Sequence, residues 1–158
     1  MDKDKKQAYT RRITQANSTE MVVILYDMTL DYIEEAAGAL DNDHDPSEFI
    51  EVISKIQGCI SELIESLHME YKPADELRML YDFCIRRIAV SQAKRDAAIL
   101  DEVARVIRPL RDAYSKIVDK NPGGPVMGNS QTVYAGLTYG KDDLIESLST
   151  NAGRGYLV

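Results

Sequence analysis

The chain has little of what most chemical functions need. Its 158 residues include two cysteines, Cys59 and Cys84, and two histidines, His44 and His68. Two thiols with no secretory leader ahead of them read as small apolar packing groups in a reducing compartment, not as a disulfide framework. The opening Met1-Asp2-Lys3-Asp4-Lys5-Lys6 lacks the apolar stretch of such a leader, which predicts a cytoplasmic protein. No run approaches the ~20 consecutive apolar residues of a membrane span, so no membrane insertion is expected. Concentrated positive charge is missing as well. The formal net charge is −7, and Lys5-Lys6, Arg11-Arg12 and Arg86-Arg87 are too scattered for the basic surface that nucleic acid requires.

The shortage of ligand residues bears on metals. Glu65-Ser66-Leu67-His68 matches one Glu-x-x-His element of a di-metal bundle, but such a site needs two, and His44 falls in a predicted loop. Asp41-Asn42-Asp43-His44-Asp45 imitates the first half of a calcium loop. Pro46 then stands where glycine is required and Val52 where a bidentate glutamate is required. No glycine-rich phosphate loop precedes a helix, and no Ser/His/Asp or Cys/His set has plausible partners. The expectation is a protein without enzyme activity, cofactor or metal.

What the sequence does have is helical periodicity. Four segments show it, and no strand-like alternation of useful length occurs before residue 130. The expected fold is an all-α, antiparallel up-and-down four-helix bundle over 17–120. An N-terminal segment, 1–16, sits outside the bundle, and a Gly/Pro linker with a mostly irregular C-terminal tail follows over 121–158. The first predicted helix starts at Asn17 or Ser18, with Glu20 three places after Asn17, and runs to about Leu40. The second opens on Asp45-Pro46-Ser47-Glu48, which supplies a cap, a proline in the first turn and an acid, and carries Phe49, Ile53, Ile56, Ile60, Leu63 and Leu67 on one face. The third follows Tyr71-Lys72-Pro73, bears Leu77, Leu80, Tyr81, Cys84 and Ile88, and ends near Lys94. Asp96 caps the fourth, with Ile99, Val103, Val106, Leu110, Ala113, Tyr114 and Ile117 as its apolar positions and a bend expected at Pro109.

The first predicted helix is too apolar for one bundle face. At 100° per residue, Glu20, Asp27, Asp31 and Glu34 occupy roughly 60° of its circumference, and its apolar side chains spread over about 260°. An ordinary core-facing helix needs a stripe of ~100° or somewhat more. Either this helix is enclosed by several others, or part of its surface, including Met21, Ile24, Leu25, Tyr26 and Met28, meets a partner helix. The third helix repeats the pattern weakly, with Met79, Phe83 and Val90 opposite its main stripe. The methionines suit a pliable contact surface or core filling equally.

In order and spacing the chain resembles the FliS family of flagellin export chaperones over roughly residues 8 to 118. The matching residues are Ala8-Tyr9, Ile24-Leu25-Tyr26-Asp27, Leu80-Tyr81-Asp82-Phe83 with Arg86-Arg87, and Leu110-Arg111-Asp112-Ala113-Tyr114. The resemblance implies a cytoplasmic bacterial chaperone that binds the C-terminal segment of flagellin in apolar grooves. Binding would block premature filament assembly and assist delivery to an export-gate component. It also implies that the N-terminal segment, through Tyr9 and Ile13, can lie over an apolar pocket when cargo is absent. The sequence departs from the family pattern at Met28, Thr19 and Tyr114, where glycine, proline and tryptophan are usual, and in Pro109 and the tail. The expected partner-binding residues are Tyr9, Ile13, Met21, Ile24, Leu25, Tyr26, Met28, Met79, Phe83, Val90, Leu110 and Tyr114. The competing expectation is a structural or regulatory bundle whose surplus apolar surface closes a homodimer with no flagellin binding. For the tail from Tyr134 to Val158 the expectation is packing on the outside of the bundle or no fixed structure, as is common for termini, and the alternative places it over the groove until cargo displaces it.

Overall fold

Most helices of this chain begin where a side chain can accept one of the amide protons that a first turn leaves unpaired. In the computed structural model, which describes residues 1–41, 45–118 and 120, α1 spans Lys3–Gln15 and the Asp2 carboxylate accepts from the Lys5 N–H. The second helix, α2, spans Ser18–Asp41. At its start the Asn17 side chain accepts from the Glu20 N–H at 2.9 Å and the Glu20 carboxylate accepts from the Asn17 N–H at 3.0 Å, a reciprocal capping box. The third, α3, spans Pro46–Glu65 behind the Asp45 cap, which accepts from Ser47 N–H. Helix α4 spans Ala74–Lys94. Asp96 accepts from Ala98 N–H and opens a 3-10 turn, Ala97–Ile99, that runs directly into α5, Leu100–Val118.

Helices α2, α3, α4 and α5 form a ring in chain order, α5 closing back onto α2. Tyr26 in the first half of α2 meets Tyr81 in the first half of α4 and Tyr114 near the end of α5. Diagonal helices therefore run parallel and neighbours antiparallel, which is the expected up-and-down bundle. Phe49, Ile53, Ile56, Ile60 and Leu63 of α3 and Leu77, Tyr81, Cys84 and Ile88 of α4 fill its interior. Both cysteines are buried free thiols, each pushed up to about 12 by desolvation.

Three features differ from the sequence reading. Residues 1–16 do not simply precede the bundle: α1 packs along α2, and Tyr9, Ile13 and Ala16 join the common core. Their spacing of four and three was a helical signal, masked by the charged residues around it. Leu80 is 38% exposed, outside the stripe to which it was assigned. The α5 interior consists of Leu100, Val103, Ala104 and Ile107, whereas Ile99, Val106, Leu110 and Tyr114 are half-buried and Ala113 and Ile117 exposed. The apolar side of α5 spans roughly half its circumference at 100° per residue, wider than the interior needs, and contact with both α2 and α4 selected which part of it faces inward. Helix α5 continues through Pro109 without a break. The acidic-loop residues 42–44, including His44, and the tail, 121–158, lie outside the described residues.

The surplus apolar surface of α2 is resolved mainly by enclosure. It is flanked by α1, α3 and α5, with the 3-10 turn against it as well. Ile24, Leu25, Tyr26, Met28 and Tyr32 are buried, and Met21, Val22 and Leu30 are half-buried.

Candidate partner-binding site

Two faces of the bundle bring the predicted contact residues together. The first is the seam beneath α1. On α2, Ile24, Asp27, Met28, Asp31 and Glu35 share one stripe of about 100°, so two apolar side chains alternate with three carboxylates. Helix α1 answers this pattern antiparallel. Lys5 Nζ lies 2.9 Å from an Asp31 oxygen, the Tyr9 hydroxyl donates to the other Asp31 oxygen, and Arg12 pairs with Asp27 at 2.7 Å. Arg111 of α5 reaches the second Asp27 oxygen at 2.8 Å, so one carboxylate ties three helices together. Burial first, and then the Asp31 carboxylate, push the Tyr9 hydroxyl above its ordinary range, which keeps it a neutral donor. Ile13 is 1% exposed. Apolar burial and the charge pattern therefore select the same seating for α1. In this conformation Tyr9, Ile13, Ile24 and Met28 are enclosed and Met21 half-enclosed.

The second face lies along α4 and α5. Arg87 of α4 and Glu102 of α5 form an ion pair at 2.7 Å. Phe83 stands one turn before Arg87 and Val106 one turn after Glu102, so the pair sets two apolar rows side by side. One row contains Met79, Phe83 and Val90; the other contains Val106, Leu110 and Ile117. Met79 is 71% exposed and Ile117 46% exposed, whereas Phe83, Val90, Val106 and Leu110 are half-buried. This is an apolar strip with a packed floor and open edges. The structure thus unites Met79, Phe83, Val90 and Leu110. Leu80, Val106 and Ile117 join them as surface residues that the sequence reading had placed in the core; their surplus over the number a four-helix interior holds was the available signal.

Tyr26 and Leu25 belong to neither open face. The Tyr26 and Tyr81 hydroxyls hydrogen-bond each other inside the bundle, and Tyr114 meets the Tyr26 ring edge-on at 5.8 Å and 68°. Burial raises all three phenols, Tyr81 to about 12. Tyr114, half-buried, also lines a cavity of about 270 Å3 at the bundle end, where α2 and α4 begin. Its floor is Val22, Leu67, Leu77 and Tyr81, and Lys72 and His68 stand among its polar residues. On α3, burial and then the neighbouring Glu65 push the Glu62 carboxyl up to about 7. Among the described residues, no three His, Cys, Asp or Glu side chains cluster as metal ligands, and no helix is long and apolar enough to cross a membrane.

A helical bundle that leaves an apolar strip open between two helices has the architecture of a helix-binding protein. Comparison with known proteins places it more closely. The family model described as "Flagellar protein FliS" matches residues 1–121. The chain is 29% identical over 106 residues to the flagellar secretion chaperone FliS of Bacillus subtilis, covering 67% of this chain and 79% of the relative. It is 27% identical over 108 residues to the flagellar secretion chaperone FliSB of Pseudomonas aeruginosa, covering 67% and 85%. The chain belongs to the FliS family, and its relatives are named as chaperones, not as enzymes.

Proposed function

We propose that this protein is a cytoplasmic export chaperone that holds the C-terminal segment of flagellin, prevents its premature polymerisation and assists its delivery to the export gate. The observation that carries the reading is the apolar strip along α4 and α5, where Met79, Phe83, Val90, Leu110 and Ile117 present half-buried or exposed apolar side chains to an amphipathic helix. The seam beneath α1 supplies a second groove once α1 lifts, exposing Met21, Ile24 and Met28 and freeing Tyr9 and Ile13. A cargo segment without fixed structure must offset its own ordering, about 2–5 kcal/mol or more, with apolar burial at ~25 cal/mol per Å2. Two grooves on different flanks meet that requirement better than one, because a wrapped segment buries more surface.

The test mixes the purified protein with a C-terminal flagellin fragment and follows binding by calorimetry and helicity by circular dichroism. Association with a gain of helix is expected, and no association at concentrations on the order of tens of micromolar refutes the proposal. The exposed Met79 and Ile117 also favour a second reading, a homodimer closed by the same strip. Sedimentation separates the two: a tight dimer indifferent to flagellin establishes the second.

A further inference from the structure

The cavity of about 270 Å3 at the bundle end is mostly apolar, and among the described residues no carboxylate lines it although the whole chain is acidic. Lys72 is among its lining residues. Asp75 and Glu76 follow nearby in the first turn of α4 but do not line the cavity. An occupant should therefore combine a small apolar face with negative charge.

This chain carries such a segment, and attaches it at the same end. Tyr114 lines the cavity, and α5 finishes at Val118, one turn or about 6 Å further along its axis. Beyond it, Asp142-Asp143-Leu144-Ile145-Glu146-Ser147-Leu148 sets three acids beside Leu144, Ile145 and Leu148, whose spacing of one and four puts them on one side of a helical turn. The family match stops at residue 121, so this segment lies beyond the part shared with the family. Val118 and Asp142 are 24 residue steps apart, and a random-coil chain of that length has an end-to-end distance of roughly 27 Å. That is ample for a cavity one helical turn away, and tethering of this length raises the effective concentration toward the millimolar range.

We propose that residues 142–148 dock intramolecularly in this cavity, Leu144, Ile145 and Leu148 against the lining residues Leu77, Tyr81 and Tyr114 and Asp142 and Asp143 toward Lys72. The contact does not depend on what cargo the bundle carries. The experiment places the photo-crosslinker benzoylphenylalanine at Tyr71, which is 69% exposed and lines the cavity, in the full chain. Crosslinked peptides are then mapped by mass spectrometry. Expected is a crosslink to 142–148 whose yield is independent of protein concentration. Lys72→Glu should lower that yield about fivefold, since it replaces attraction by repulsion at an exposed site, and Asp142→Lys with Asp143→Lys should restore it. Crosslinks only to bundle residues, only to another part of the tail or only between molecules overturn the proposal, as does a yield unchanged by Lys72→Glu.

Discussion

Replacing Ile13 by alanine tests the coupling between α1 and the groove beneath it. The side chain is 1% exposed and belongs to the common core, so truncation removes three carbons from a packed site and should destabilise α1 docking by about 3 kcal/mol. The polar contacts of α1 remain, namely Lys5 and Tyr9 on Asp31 and Arg12 on Asp27. Lys5 and Arg12 are each 44% exposed on their side chains, so these pairs contribute only about 0–1 kcal/mol apiece and cannot compensate. Because α1 packs against α2 outside the four-helix ring, the loss should open α1 locally without unfolding the bundle. A 3 kcal/mol shift changes the docking equilibrium by about 160-fold, which sets the ceiling on the gain in affinity if cargo must displace α1. Hydrogen exchange over Lys3–Gln15 should lose protection while α3 and α4 keep theirs, and calorimetry with the flagellin fragment should show tighter binding. Release of α1 with unchanged or weaker flagellin affinity would refute the idea that α1 covers a cargo groove. Global destabilisation with α1 still protected would refute the assignment of α1 as a separable element.

Three further outcomes are expected. Tyr26→Phe or Tyr81→Phe alone leaves the partner hydroxyl buried and unpaired and should lower stability by about 1–3 kcal/mol in chemical denaturation, whereas the double replacement removes both hydroxyls and should be less destabilising than the sum of the single changes. Glu62, raised to about 7 in the folded state from an ordinary value of 4.5, binds its proton more tightly folded than unfolded. Its contribution is therefore most favourable below pH 4.5 and is lost as pH rises through about 7. Discounted for its partial exposure, Glu62→Gln should stabilise the protein by about 1–2 kcal/mol at pH 8 and by progressively less toward pH 4.5, read from denaturation midpoints at each pH. Met79→Glu, at a position 71% exposed, should change stability by no more than about 0.5 kcal/mol yet weaken flagellin binding about tenfold or more, because it places a charge on the apolar strip; equal affinity in calorimetry would remove Met79 from the site.

The four helices of the ring were legible because their starts depend on local chemistry, whereas α1 was read only as a segment outside the bundle. Asn17 with Glu20, Asp45 with Pro46, and Asp96 each satisfy or replace first-turn amides within a few residues, and that geometry is written in sequence spacing. The ordered set of family residues likewise lies along the sequence, so the chaperone family could be read before any packing was known. The sequence also showed that α2 carries more apolar surface than one face can use.

Where that surplus goes was a tertiary decision. Periodicity defines a helix's faces but not its neighbours, so the sequence allowed both enclosure of α2 and a bare groove; packing by α1, α3 and α5 enclosed it. The same limit explains α5, where Leu100, Ala104 and Ile107 went inward and Val106, Leu110 and Ile117 toward the outer strip, although both sets are apolar. It also explains α1: Asp27 and Asp31 read as a solvated polar stripe until Lys5, Tyr9 and Arg12, 15 to 26 residues earlier, are folded back onto them. Local hydrogen bonding sets what each segment is, while burial and charge pairing between distant segments set which surfaces stay open.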